Sequence, residues 1–180
     1  MPQAPPRIAV IGVGNAFRHD DGIGPAVVRR LRERALDRPL PPSVTLVDCD
    51  GETGRLMSLW EGAELAIVID AAHAHPGHPG RVHRFDHEGP YAHRAATSSH
   101  GLGLGEAIEL SDVLGRLPGR LIVLAVEGAD TTLGTGLTHA VAAAVDRLAE
   151  TVEAEITAHK DDRARNASRR VGGGSRPADG

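Results

Sequence analysis

Apolar residues along the chain follow two alternating rhythms. Unbroken runs of strand length occur at Arg7–Val13 (RIAVIGV), Val44–Asp48 (VTLVD), Leu65–Ala71 (LAIVIDA) and Arg120–Val126 (RLIVLAV), and they are rich in branched residues. Arg81–Phe85 (RVHRF) alternates instead, which predicts a strand at a sheet edge. Between these runs the period lengthens to that of a helix. In IGPAVVRRLRERAL, Ile23, Val27, Val28, Leu31 and Ala35 share one face, with arginines elsewhere. TGRLMSLW, LGEAIELSDVLGRL and LTHAVAAAVDRLAETVEAEI predict three further helices. The alternation predicts an α/β fold: a single three-layer domain whose twisted, mainly parallel sheet of about five strands carries helices on both faces.

Composition narrows this picture. A chain of 180 residues fits one domain with one sizeable core, and scarce aromatics leave Val, Leu, Ile and Ala to fill it. The folded domain is expected over residues 1–158. The Arg-, Gly- and Ser-rich remainder, 159–180, has little to bury and is expected to be a disordered tail. A formal charge of −4 gives no electrostatic case for nucleic acid or an anionic membrane as partner. No apolar run approaches the roughly 20 residues of a membrane span, and MPQAPPR lacks the apolar core of a secretory signal. Cys49 is the only cysteine, so no intrachain disulfide can form. The expectation is a cytoplasmic monomer.

The stretch GVGNAFRHDDGIGP, Gly12–Pro25, follows the first apolar run where a phosphate-binding turn would lie. Gly12 and Gly14 fit a dinucleotide fingerprint, but the third glycine position is Phe17, and Asp20 and Asp21 would repel a pyrophosphate. No Gly-Lys-Ser/Thr follows to make a P-loop. One of the two aspartates is accounted for as a helix cap or supporting group, a role assigned to Asp20, which leaves Asp21 free to point elsewhere. In open α/β sheets, ligands gather beyond the carboxyl ends of the strands. Three residues meet that condition: Asp21 after the first strand, Asp70 at the end of LAIVID, and His100 in the Ser/Gly-rich TSSHGLGLGEAIEL. Two carboxylates and an imidazole suit a borderline divalent metal such as nickel, zinc or cobalt, with coordination positions left open. No G-x-S-x-G elbow is present, and Cys49 has no nucleophile signature.

With VIGVGNAFRHDDGIGPAVVRRL, AIVIDAA, and SSHGLGL followed by a helix and RLIVLAVEG, the chain resembles the hydrogenase maturation proteases, the endopeptidases that process nickel–iron hydrogenase large subunits. The resemblance runs from about Arg7 to Glu155 with the blocks in order. It implies that Asp21, Asp70 and His100 ligate nickel delivered in the substrate precursor, and that a short C-terminal peptide is then removed from it. The chain departs from the family at Asp21, often glutamate there, and at His139, where a proline is expected after Thr138. Thr138 is still expected to cap the helix that follows. A further departure is the His-rich stretch between residues 73 and 93. It supports an alternative reading, a non-catalytic nickel-binding maturation chaperone.

Overall fold

The computed structural model describes residues 7–88 and 102–172. Five strands form one sheet in the order β2–β1–β3–β5–β4. β1 (Ile8–Val13), β2 (Val44–Cys49), β3 (Leu65–Ala72) and β5 (Arg120–Glu127) run parallel. β4 (Val82–Glu88) pairs antiparallel with β5 at the sheet edge, as the alternation of RVHRF predicts. α1 (Ile23–Asp37) leads from β1 out to β2, and α2 (Thr53–Trp60) leads back past β1 to β3. The winding therefore reverses between β1 and β3. Their carboxyl ends open the crevice in which α/β sheets bind ligands.

Strands buried on both faces need a helical layer on each side. Ile8, Val10, Ile67, Ile69 and Leu124 pack under Val27 and Leu31 of α1 and Leu148 and Val152 of α5 (Val145–Gly172). Ile11, Val68 and Val123 face the other way, under Leu56 and Trp60 of α2 and Leu104 of α3 (Leu102–Val113). The Trp60 indole buries its one polar group by donating to Ser111 Oγ at 3.0 Å, which ties α2 to α3. Glu52 starts α2 by accepting from the backbone N–H groups of Gly54 and Arg55, both at 2.8 Å.

Two expectations differ from the structure. The last predicted helix is divided into a single turn, α4 (His139–Ala142), and the long α5. α5 also continues through Gly172, past the boundary expected at residue 158. The reason is electrostatic. Arg163 pairs with Glu64 just ahead of β3, and Arg165 pairs with Asp162 at 2.6 Å one turn away. Polar residues that bury nothing can still extend a helix already anchored by its apolar half.

A close backbone approach joins α1 to the sheet. A Cβ on Gly24 would stand 2.5 Å from Val13 N and 2.6 Å from Ile69 O, and a Cβ on Gly12 would be 2.5 Å from the Gly24 carbonyl carbon. No side chain fits at either place, so Gly24→Ala must lift the start of α1 from β1 and β3. A loss of about 2–3 kcal/mol is expected in urea unfolding, against a gain of up to about 1 kcal/mol for Gly105→Ala, a helical position where a Cβ meets nothing.

Candidate active site

After β1 the chain turns sharply at Gly14, whose φ of +131° is open to glycine, and its N–H donates to Cys49 O at 2.9 Å. Residues His19–Gly22 then form one 3-10 turn that crosses the carboxyl edge of the sheet and hands over to α1. Within it the two adjacent aspartates part company. Asp21 is half-buried, and its Oδ2 accepts from Asn15 N at 2.8 Å. Asn15 closes the turn from within, its Oδ1 accepting from Phe17 N at 2.9 Å. The asparagine of the Gly-Asn pair thus aims Asp21 back over the strand ends.

Asp20 is fully buried and points the other way. Its carboxylate accepts from the N–H groups of Ala129, Asp130 and Thr138 and from the Thr138 hydroxyl, at 2.7–3.1 Å. Burial alone would raise its pKa, but these hydrogen bonds outweigh burial and hold the carboxyl below its ordinary value. Asp20 does not cap a helix: neither the 3-10 turn nor α1 has a side-chain cap. Its work is to tie the turn after β1 to the loop after β5. Thr138 likewise stands directly ahead of α4, at the capping position, without capping it, because its hydroxyl is given to Asp20. The same two segments are laced by His19 N donating to Gly134 O at 3.1 Å and Gly134 N to Phe17 O at 2.9 Å.

Asp70 lies near the end of β3, directly after Ile69, on which Gly24 rests. It is only 6 % exposed, and its carboxyl is pushed up to about 7. Burial is the main cause; the Ala71 N–H opposes it, and the neighbouring Asp21 charge adds to it. The turn thus brings two of the predicted residues, Asp21 and Asp70, within electrostatic reach of each other at the β1/β3 crevice. A carboxyl that exchanges its proton near neutrality beside a second carboxylate can move protons or gain from a cation between them.

His100 lies outside the described residues. α3, which starts two residues later in sequence, brings its N-terminal turn to the same edge, where Gly103 packs on Gly51 and Thr53 Oγ1 donates to Gly103 O at 3.5 Å. Among the described residues, no three His, Cys, Asp or Glu side chains are grouped to hold a metal ion. Cys49 ends β2 at this edge, with its thiol pushed upward by burial and so kept protonated. Of the His-rich stretch, residues 73–88 are described and 89–93 lie outside.

Sequence reasoning missed Glu127. It closes β5, is 2 % exposed, and accepts from His83 Nε2 at 2.6 Å and from the His78 N–H. A charged residue directly ending the apolar run RLIVLAV was the available signal.

The hydrogenase maturation protease family model matches residues 25–155, beginning just past the turn that holds Asp21. The hydrogenase expression/formation protein HupD of Bradyrhizobium diazoefficiens is 31% identical over 126 residues, which is 69% of this chain but 64% of that protein's own length. The hydrogenase 2 maturation protease of Escherichia coli is 28% identical over 151 residues, 83% of this chain and 90% of that protein. Among solved structures, the hydrogenase maturating endopeptidase HybD from E. coli aligns with a TM-score of 0.68 at 28% identity, covering 85% of this chain and 93% of that one. The [NiFe] hydrogenase maturation protease HybD from Thermococcus kodakarensis, at 23% identity and a TM-score of 0.62, shares the fold over 83% of this chain and 99% of its own.

The raised carboxyl has a measurable cost. Between the ordinary value of 3.8 and about 7, folded Asp70 keeps a proton that the unfolded chain has released, so stability falls as pH rises through that window. Metal-free Asp70→Asn escapes the loss. It is expected to be more stable than the parent at pH 8 by on the order of 2–4 kcal/mol, the gain shrinking to near zero below about pH 4. Urea unfolding at the two pH values checks this, and a pH-independent difference would contradict it.

Proposed function

This chain belongs to the hydrogenase maturation protease family, and from that premise we propose that it is the endopeptidase that trims a short C-terminal peptide from the nickel-loaded precursor of a nickel–iron hydrogenase large subunit. The observation that carries the proposal is the pairing of Asp21 with Asp70 at the β1/β3 crevice, where burial and the Asp21 charge push the Asp70 carboxyl up to about 7.

The nickel is part of the substrate. Precursor thiolates would hold it, and Asp21, Asp70 and His100 would complete its coordination with harder oxygen and nitrogen donors. Binding the ion would displace the Asp70 proton, so recognition of a loaded precursor is coupled to pH. An empty precursor would offer no charge to compensate the two carboxylates. The ion then serves as the mark that sets the scissile bond in place, and positioning is itself a large part of catalysis. Asp21, with a shorter reach than glutamate, would draw the ion toward the turn. The anchoring of that turn through Asp20 keeps the geometry from relaxing.

The check is to mix the protein with nickel-loaded and with nickel-free precursor and follow the change in size. Only the loaded precursor should be shortened, and Asp21→Ala and His100→Ala should each slow this by about 100-fold or more. Cleavage without nickel, or undiminished cleavage by either variant, would refute recognition through the metal.

A further inference from the structure

A pairing of carboxylate and imidazole stands at the same edge as the two aspartates. By strand register, Asp70 of β3, Ala125 of β5 and His83 of β4 occupy one row across the sheet. Neighbours in a row present their side chains to the same face. The row two residues along each strand fixes which face that is, because Val68, Val123 and Phe85 all pack on the α2/α3 side. Two strand spacings put Asp70 and His83 about 10 Å apart between Cα atoms, and the side chain between them in the row is a single methyl group.

Glu127 stands two residues beyond Ala125 on this face. Its Oε1 lies 2.6 Å from His83 Nε2, and its Oε2 accepts from the His78 N–H. Those two hydrogen bonds, the His78 one larger, hold the carboxyl below its usual range. An ionised carboxylate can only accept, so Nε2 carries the proton and Nδ1 presents a lone pair. The Glu127 side chain is 3 % exposed and that of His83 is 43 % exposed. β4 itself is fixed from its opposite face, where Asp86 accepts from Arg120 Nε at 2.9 Å and from Arg84 at 2.8 Å. Anchoring the 73–80 loop would require only the Glu127–His78 contact. A half-exposed imidazole, held in one tautomer by a buried carboxylate and aimed from the row of Asp70, is what general-base catalysis requires.

We infer that His83, oriented by Glu127, is the general base for peptide hydrolysis at the Asp21–Asp70 edge; this rests on the endopeptidase reading above. Nδ1 takes a proton from water as the water oxygen bonds to the scissile carbonyl carbon. When the C–N bond breaks, the imidazolium returns the proton to the departing amine nitrogen. One carboxyl terminus and one amine are released, and the imidazole is neutral again.

The test uses the full chain and nickel-loaded large-subunit precursor. His83→Gln should cut the rate of cleavage by roughly 10²–10⁴-fold while precursor binding in a pull-down stays within about threefold of the parent. Free imidazole should restore a measurable part of the rate to His83→Ala. Because a variant that fails to fold is not rescued by imidazole, rescue separates a lost base from a lost structure. Cleavage by His83→Gln within about threefold of the parent, with Asp70→Asn inactive, overturns the base and leaves the endopeptidase reading standing. Loss of rate in His83→Ala with native circular dichroism and no rescue also overturns the base. No cleavage by the unaltered protein overturns both.

Discussion

Gly24 resting bare on the ends of β1 and β3 is the contact from which the rest of the site takes its dimensions. Its neighbours are Val13 and the Ile69 carbonyl, with Gly12 facing it from below. Asp21 precedes this contact by three residues, and Asp70 follows Ile69 directly. Because no side chain cushions the approach, the start of α1 and the end of β3 are held at backbone contact distance. The two carboxylates are thereby confined to one crevice. Burial and mutual charge then raise the Asp70 carboxyl, and a free-energy cost of that sign is characteristic of a functional position.

Two adjacent aspartates divide the labour of holding and presenting. Asp20 is saturated by four donors from the loop after β5, so its charge is well compensated and its position fixed. Asp21, one residue on, receives the Asn15 N–H and faces Asp70. A single turn thus carries an anchor and a working group on opposite sides. A buried carboxylate supporting a presented side chain recurs across the sheet, where buried Glu127 holds half-exposed His83. Supporting groups of this kind keep reactive side chains within the narrow tolerance that chemistry allows.

Much of the scaffold was legible in the sequence because it rests on local pattern. The apolar runs place four strands within a residue or two, the alternation of RVHRF marks the edge, and the apolar stripe of α1 is buried as its spacing predicts. Asp70 could be picked out because a charge inside the end of an apolar run is costly wherever it falls. Partners distant in sequence were not legible. Asp20 was read as a cap or supporting group, yet its donors lie more than 100 residues away. Thr138 has the right chemistry to cap α4 but a better acceptor in Asp20. His83 and Asp70 share a row only through the register of β5 against both neighbours, which no single segment encodes. The extension of α5 past residue 158 depends on Glu64, a charge on a distant turn.

Folding forces Asp70 out of water and against Asp21. A carbon-13 NMR titration of the Asp70 side-chain carboxyl in the metal-free full chain tests it most directly. The carboxyl should titrate at about 7 in the parent and move downward, toward its ordinary range, in Asp21→Asn. An ordinary carboxylate value near 4 in the parent, unchanged by Asp21→Asn, would contradict the account.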